Sequence, residues 1–197
     1  MRNIRWMKLV LLLLAAALLL PMAGHAENEG DYQYKVDTLT GTAVITGYTG
    51  AGGSITLPAE LGGYPVTAVG NSAFKGQSAI TEVVVPAGVV SLGRNAFDSC
   101  TALQRLTLHE GIRRIGYQAF ARCPALRQLT LPQSLLDIES RAFDDCTGLE
   151  SLIIPNRDTR LDPDALRGCS PTLIAPPGAY AEAYARQYSL PFRPISA

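Results

Sequence analysis

A repeat of 23 residues constrains the fold of this chain more than any other feature of its sequence. An Ala-Phe pair recurs at this step, and a cysteine stands three residues after the Phe in the later copies. The positions are Ala73-Phe74, Ala96-Phe97, Ala119-Phe120, Ala142-Phe143 and Ala165-Leu166, then Cys100, Cys123, Cys146 and Cys169, with Gln77 in the first copy. A unit this short cannot bury an apolar face alone, so stacked units must share one continuous core.

Each unit also contains a Leu-x-x-Leu-x-Leu element or a close variant of it. The copies span residues 80–85, 103–108, 126–131 and 149–154. Apolar and polar residues alternate at the end of the element, as they do in a strand with one buried face. We therefore predict a strand, a turn, a second short extended piece and one helical turn per unit, with the phenylalanines in the core.

Opposite charges recur at the repeat step, which is an independent check on stacking. Residues 23 apart would be neighbours about 4.8 Å apart in stacked units. The expected pairs are Lys75–Asp98, Glu82–Arg105, Arg114–Asp137, Asp137–Arg160, Arg122–Asp145, Arg127–Glu150, Arg141–Asp164 and Asp144–Arg167. Only Glu139 and Asp162 would bring like charges together. Exposed pairs contribute under about 1 kcal/mol each, so here they serve as markers of the register.

The segments outside the repeats are predicted to cap the stack. Residues 32–37 and 42–47 are predicted strands of a hairpin around a Thr-Gly turn, after a disordered stretch at residues 27–31. The first unit is five residues longer than the others, which predicts an insertion around Gly62-Gly63.

At the C-terminal end, a strand at residues 172–175 precedes a predicted helix. Tyr180, Tyr184 and Tyr188 recur every four residues, and we interpret this stripe as apolar cover for the last coil. A cofactor-binding surface is the alternative interpretation of the same three rings.

Residues 1–26 have the pattern of a secretory signal peptide. Basic residues precede an apolar run at residues 9–20, and small residues at Gly24 and Ala26 fit cleavage after Ala26. The alternative is an uncleaved anchor, although a membrane span needs roughly 20 apolar residues. We predict a secreted or cell-surface protein with no membrane insertion after cleavage.

The composition argues against several classes of function. The chain has 17 Lys+Arg and 17 Asp+Glu, and cleavage would remove three basic residues, which leaves 14. A mildly acidic chain lacks the basic surface that nucleic-acid binding needs, so we expect no nucleic-acid partner. His109 would be the single remaining histidine, and no catalytic or nucleotide-binding motif is present. We therefore predict neither an enzyme nor a cofactor.

The four cysteines share the repeat register, so their side chains would lie parallel on the inner side of the stack. Parallel thiols point poorly for disulfide bonds, and no Cys-x-x-Cys pair offers the spacing of a zinc site. We expect buried free thiols, with two disulfides or a metal site as alternatives.

These residues resemble the BspA-type leucine-rich repeats, a family of bacterial surface and secreted proteins. The family's unit is similar to Ile-x-x-x-Ala-Phe-x-x-Cys-x-x-Leu-x-x-Leu-x-Leu-Pro, and residues 138–155 carry the clearest copy. Residues 34–50, 63–66 and 178–185 resemble the family's N-terminal start, first connection and C-terminal cap. The resemblance implies a right-handed leucine-rich-repeat solenoid with a parallel β-sheet on its concave face. It implies binding or adhesion, and no catalysis.

The chain then divides into four segments. Residues 1–26 are the signal peptide and residues 27–68 form the N-terminal β-hairpin cap and the first coil. Residues 69–169 are the repeats, and residues 170–197 form the C-terminal strand and helical cap.

In leucine-rich repeats the exposed strand positions line the concave face. The candidate binding residues here are Glu82, Val84, Arg105, Thr107, His109, Gln128, Thr130, Ser151 and Ile153. His109 replaces a proline and stands beside Glu110, so the two could bind a ligand or exchange protons, or His109 could be an ordinary surface residue. This face carries no aromatic platform, and the aromatic candidates are Tyr48, Tyr64 and Tyr117 elsewhere.

Size bears on the mode of binding. The strand face projects only roughly 300 Å² at ordinary strand spacing, whereas a standard interface takes about 800 Å² per partner. Loops must therefore contribute, or binding is weak and multivalent. The predicted function is binding of another macromolecule, a protein before any other, and the alternative is a structural, self-associating cell-surface component. The sequence leaves the oligomeric state open.

Overall fold

The computed structural model describes residues 26–195, in which one helix and sixteen strands form a solenoid. The strands are β1 (Ala26–Glu29), β2 (Tyr32–Asp37), β3 (Thr42–Tyr48), β4 (Gly53–Thr56), β5 (Glu60–Leu61), β6 (Tyr64–Val69), β7 (Ile80–Val85), β8 (Ser91–Leu92), β9 (Arg105–Leu108), β10 (Arg114–Ile115), β11 (Gln128–Thr130), β12 (Asp137–Ile138), β13 (Ser151–Ile153), β14 (Arg160–Leu161), β15 (Thr172–Ala175) and β16 (Phe192–Pro194). The helix α1 (Tyr180–Gln187) lies between β15 and β16. The predicted signal peptide lies outside the described residues, apart from Ala26.

Two rows of parallel strands run along the solenoid. The first row, here called the leucine sheet, contains the Leu-x-x-Leu-x-Leu strands β4, β7, β9, β11, β13 and β15, with β16 added at the end. The second row, here called the short-strand sheet, contains β6, β8, β10, β12 and β14. The extended pieces predicted between strand and turn thus pair into a sheet of their own.

The strand pairing confirms the predicted register. Arg114 lies opposite Asp137, which lies opposite Arg160, and Glu82 lies opposite Arg105. In the first unit the step is longer, since Ser54 pairs with Glu82. The five extra residues form the β5–β6 hairpin at Gly62-Gly63, where the insertion is predicted.

The leucine sheet is divided in two. Strands β4, β7 and β9 form one ladder, and β11, β13, β15 and β16 form another. Within residues 26–195 no backbone hydrogen bond joins β9 to β11. The same two coils stay joined on the other side of the solenoid, where β10 pairs with β12 and the amide of Phe120 donates to the carbonyl of Ala142. Between these two coils the backbone hydrogen bonding is therefore interrupted on the leucine side alone.

The phenylalanines form a stacked column through the core. Phe74, Phe97, Phe120 and Phe143 are fully buried, and successive ring centroids lie 4.8, 5.3 and 5.5 Å apart. The Ala-Phe turns close by hydrogen bonds between residues three apart and also bond to the next coil. Their left-handed residues, such as Asn95 with φ of 54°, turn alternate amides toward that coil.

The N-terminal hairpin continues this core. Tyr48 packs 5.4 Å from Phe74 and Tyr32 packs 5.3 Å from Tyr48, so two tyrosines extend the column of phenylalanines. The expected disorder at residues 27–31 is wrong over its first part, because residues up to Glu29 pair with β2 as strand β1. The hydroxyl of Tyr34 donates to Glu27 at 2.9 Å and helps to fix that strand.

The helix α1 covers the C-terminal end. Ala181, Tyr184 and Ala185 are buried against the last coil, and the Tyr184 hydroxyl donates to the Pro163 carbonyl at 3.2 Å. Of the expected three-tyrosine stripe only Tyr184 covers the last coil, because Tyr180 remains 51% exposed and Tyr188 lies beyond the helix end. Among residues 26–195, no helix has the length and apolar character needed to cross a bilayer.

Candidate functional site

The nine candidate binding residues lie together on the outer side of the leucine sheet. Eight of them stand on four successive strands, where they alternate with buried neighbours such as Val83, Leu106 and Leu129. Glu82 and Val84 lie on β7, Arg105 and Thr107 on β9, Gln128 and Thr130 on β11, and Ser151 and Ile153 on β13. His109 follows β9 and is exposed. We call this outer surface the leucine face.

The leucine face is longer than the sequence indicated. Ser54 and Thr56 on β4 continue the two rows at one end, since Ser54 pairs with Glu82 and Thr56 with Val84. At the other end Thr172 pairs with Ser151, and Ile174 follows Ile153 in the same ladder. The residues of β4 and β15 are typical of strands in the sequence. That signal could have added Ser54, Thr56, Thr172 and Ile174 to the candidate binding residues.

Ion pairs neutralise much of the charge on the leucine face. Arg105 donates to Glu82 at 2.8 Å, and the Ser54 hydroxyl donates to the same carboxylate at 3.3 Å. These hydrogen bonds, with that of Arg105 the stronger, lower the pKa of Glu82. Farther along the sheet, Arg127 pairs with Glu150 at 3.2 Å. A partner of one charge sign would therefore find no strong attraction on this face.

The His109–Glu110 pair is not assembled as an acid–base site. Both Glu110 oxygens accept backbone hydrogen bonds from the next coil, at 2.8 Å from the Gln133 amide and 2.9 Å from the Ser134 amide. The bond from Gln133 is the main cause that lowers the pKa of Glu110. The carboxylate thus fixes the connection between two coils, which leaves His109 as a surface residue of the leucine face.

A notch marks the place where the leucine sheet divides. It has a volume of about 470 Å³ and lies between the facing edges of β9 and β11. Its lining combines the candidate residues Thr107, Gln128, Thr130 and Ile153 with Leu106, Leu108, Glu110, Leu131 and Pro132. Backbone groups at such edges have no strand partner, so they are available to water or to a ligand. No signal in the sequence marks this division, because the repeat spacing is unbroken there.

Five of the eight predicted charge pairs form. They are Lys75–Asp98, Glu82–Arg105, Arg127–Glu150, Arg141–Asp164 and Asp144–Arg167. The pairings of Asp137 with Arg114 and Arg160 are wrong, although their backbones are in register, because Arg114 reaches Glu139 at 3.7 Å instead. The like-charged Glu139 and Asp162 each accept a backbone amide, from Tyr117 and Ser140.

Arg122 pairs with Asp98 and not with the predicted Asp145. It donates to Asp98 at 2.6 Å, where Lys75 also lies at 3.3 Å. Asp98 is fully buried and accepts further bonds from Asn95 and Ser99. A buried carboxylate needs a compensating positive charge more than an exposed one does, and for this reason Arg122 pairs with Asp98.

The cysteine thiols form hydrogen bonds between successive coils. Each Sγ donates to the carbonyl of the phenylalanine one coil earlier, from Cys100 to Phe74 at 3.2 Å and from Cys146 to Phe120 at 3.0 Å. All four thiols are free, and Cys169 is only partly buried. Burial raises the pKa of Cys100, Cys146 and Cys169 to about 12, and raises that of Cys123 as well. Residues 26–195 contain no cluster of His, Cys, Asp and Glu suited to a metal ion.

In the first unit Gln77 stands at the cysteine position and makes the corresponding hydrogen bond. Its Nε2 donates to the carbonyl of Tyr48 at 2.9 Å, and Tyr48 is the ring that precedes Phe74 in the stacked column. A longer side chain therefore makes the same type of bond across the longer first unit. Tyr48 itself is 8% exposed, so its candidacy as a ligand-binding ring is wrong.

The comparisons with known proteins agree with this geometry. The family model for the BspA type leucine rich repeat region matches residues 55–178 in six copies. A search of the curated proteins found no match.

Several solved structures are similar. A leucine-rich repeat protein from Bacteroides capillosus is 31% identical with a TM-score of 0.57, over 64% of this chain and 96% of that one. A leucine rich cell surface protein from Faecalibacterium prausnitzii is 25% identical with a TM-score of 0.59, over 89% of this chain and 56% of that one. This chain thus spans just over half of the latter protein. A leucine rich repeat protein from T. pallidum, 24% identical with a TM-score of 0.55 over 87% of this chain and 98% of that one, shares the fold.

Proposed function

The chain belongs to the BspA-type leucine-rich repeat family, and we propose that it is an exported, non-catalytic module that binds another protein through the leucine face. The observation that carries this proposal is the outer surface of the leucine sheet with its notch. This surface offers exposed threonines, one histidine and open strand edges beside apolar side chains at the place where the leucine sheet is divided.

Mixed polar and apolar surfaces of this kind are typical of protein interfaces. Such interfaces take their affinity from a desolvated centre and use a polar rim for complementarity. In the notch, Leu106 and Leu108 are each 8% exposed, while Leu131 is buried more completely. A partner side chain entering the notch would cover the exposed part of both leucines and meet Thr107 and Thr130 at the rim.

Location outside the cytoplasm is the second part of the proposal. It is supported by the predicted signal peptide and by the cell-surface description of the Faecalibacterium prausnitzii relative. N-terminal sequencing of protein recovered from the medium tests it, with Glu27 as the expected first residue. Recovery of the protein only from the cytoplasm would contradict it.

Affinity capture tests the binding role. The purified protein is immobilised and exposed to host-cell, extracellular-matrix and self-derived extracts, beside a variant with Arg105→Glu and Thr107→Glu. A protein captured by the wild type and lost with the folded variant is the expected result. A matched control, Arg186→Glu on α1, should retain capture.

Other outcomes contradict the proposal. Equal capture by the wild type and the leucine-face variant would place the site on loops or caps. No capture, together with sedimentation that depends strongly on concentration, would favour the structural, self-associating role.

A further inference from the structure

A cleft lies between the helix α1 and the strand β14, away from the leucine face. Its volume is about 330 Å³, and we call it the cap cleft. Pockets for small ligands have volumes of about 300–1,000 Å³, so the cap cleft is at the lower end of that range. It therefore suits a small ligand or a single unit of a larger one.

One face of α1 forms the helical wall of the cap cleft. Its lining residues follow the spacing i, i+3, i+4 and i+7 of one helix face, and they are Tyr180, Ala183, Tyr184 and Gln187. Tyr184 is buried, and its hydroxyl already donates to the Pro163 carbonyl at 3.2 Å. Tyr180, in contrast, is 51% exposed and stands beside the small side chain of Ala183. The wall thus offers one accessible aromatic ring.

The opposite wall is the open edge of the short-strand sheet, because β14 is the last strand of that row. The amides of Arg160 and Asp162 donate back to the previous coil, at 2.8 and 2.9 Å. Backbone groups of neighbouring residues in a strand point to opposite sides, so the amide and the carbonyl of Leu161 point away from that coil. The helix α1 stands beside this edge and prevents a further strand from adding to it. A small ligand with hydrogen-bonding groups can still reach Leu161.

Three polar side chains at the cap cleft keep hydrogen-bonding groups for a ligand. Asp162 accepts the Ser140 amide at 2.8 Å through Oδ2, which leaves Oδ1. Gln187 donates from Nε2 to the hydroxyl of the next residue at 3.2 Å, which leaves its carbonyl oxygen. Arg160 makes no ion pair within residues 26–195, and its guanidinium lies 5.8 Å from the centroid of the Tyr180 ring. Donors and acceptors therefore surround the exposed ring.

The charges at the cap cleft favour a neutral ligand. One arginine and one carboxylate, Arg160 and Asp162, line it. An adjoining pocket of about 360 Å³ shares these two residues and adds Arg114, Asp137 and Glu139, so its carboxylates outnumber its arginines. An acidic ligand would be repelled by these carboxylates, and Arg160 already takes the place of a cation near the Tyr180 ring. Hydroxyl groups both donate and accept, so they can bond to carboxylates and arginines alike.

We propose that the cap cleft binds a neutral sugar residue of a glycan. The C–H groups on one face of a pyranose ring are apolar, and they pack on the exposed part of the Tyr180 ring. The sugar hydroxyls donate to Asp162 and accept from Arg160 and from the Leu161 amide. The next sugar residue lies in the adjoining pocket. The cap cleft and the leucine face belong to different sheets, so this proposal is independent of protein binding at the leucine face.

Saturation-transfer difference NMR tests the proposal with the methyl glycosides of glucose, galactose, mannose and N-acetylglucosamine as neutral probes. Methyl glucuronide is the acidic control, and hexaproline tests a peptide ligand, since proline-rich peptides also pack on aromatic side chains. The purified protein is compared with Tyr180→Ala and with Asp162→Asn, which keeps an acceptor for the Ser140 amide. The matched control is Tyr117→Ala, because that ring also has an arginine over it, Arg94 at 4.7 Å, on another coil. Circular dichroism shows which variants are folded.

The expected result is a difference signal from at least one neutral glycoside, strongest for its ring C–H protons. Tyr180→Ala should abolish this signal, and Tyr117→Ala should leave it unchanged. Asp162→Asn should raise the Kd roughly tenfold, as the loss of one charge-assisted hydrogen bond does. No signal from any neutral glycoside, or an undiminished signal with Tyr180→Ala, would overturn the proposal. So would tighter binding of methyl glucuronide or hexaproline than of the neutral glycosides.

Discussion

Truncation of Phe120 to alanine should remove a large part of the stability of this protein. The ring is fully buried in the middle of the stacked column, with centroids 5.3 Å from Phe97 and 5.5 Å from Phe143. Burial and cavity effects of a Phe→Ala change cost about 3–5 kcal/mol. A domain of this size is stable by only about 5–15 kcal/mol, and each coil contacts only its neighbours, so the cavity also weakens the coils on both sides.

Urea denaturation followed by far-ultraviolet circular dichroism measures this loss, because Trp6, the one tryptophan, lies in the predicted signal peptide. The free energy of unfolding of Phe120→Ala is compared with that of Leu39→Ala, whose side chain is 97% exposed. The control should change the free energy by less than about 0.5 kcal/mol. A loss below about 1 kcal/mol for Phe120→Ala would refute the view that the column is the continuous core.

Three further predictions follow from the contacts between coils. A double-mutant cycle on Asp144 and Arg167, whose charged atoms lie 2.7 Å apart, should give a coupling of about 1 kcal/mol, and additive single changes would contradict it. Gln77→Ala should cost about 1 kcal/mol in urea denaturation by leaving the Tyr48 carbonyl without its donor, whereas Gln77→Cys should cost less. Burial raises the pKa of Cys100 to about 12 from the model-compound value of 9.0, so stability should be full below about pH 9 and fall from there toward pH 12 in a pH series of melting temperatures. A flat series would contradict the burial of the thiols.

The register of the coils could be predicted because each repeat of 23 residues forms one coil, so equivalent residues of successive repeats lie opposite each other. Opposed residues in stacked parallel strands must lie one repeat apart, as Arg114 and Asp137 do. The position of the strand residues was predictable for the same reason, since alternation decides which side chains of β9 and β11 face outward. The hairpin cap was predictable from local turn chemistry.

Side-chain partners and the second sheet were harder to predict. Asp137 has opposite charges on both neighbouring coils, but Arg114 is long enough to reach Glu139 instead. Arg122 pairs with Asp98 because that carboxylate is buried, and burial does not show in spacing. Two-residue strands such as β10 have too short a pattern to be recognised alone. The division between β9 and β11 arises from packing across coils, so an unbroken repeat conceals it.

The most direct test of binding at the leucine face is hydrogen exchange by mass spectrometry, with and without the captured partner. The amides of β9 and β11 at the notch should exchange readily in the free protein, since their facing edges share no backbone hydrogen bonds. Binding at the leucine face predicts that residues 103–110 and 126–132 become protected in the complex. Protection confined to the β5–β6 hairpin, to α1 or to the short-strand sheet, with these two segments unchanged, would contradict it.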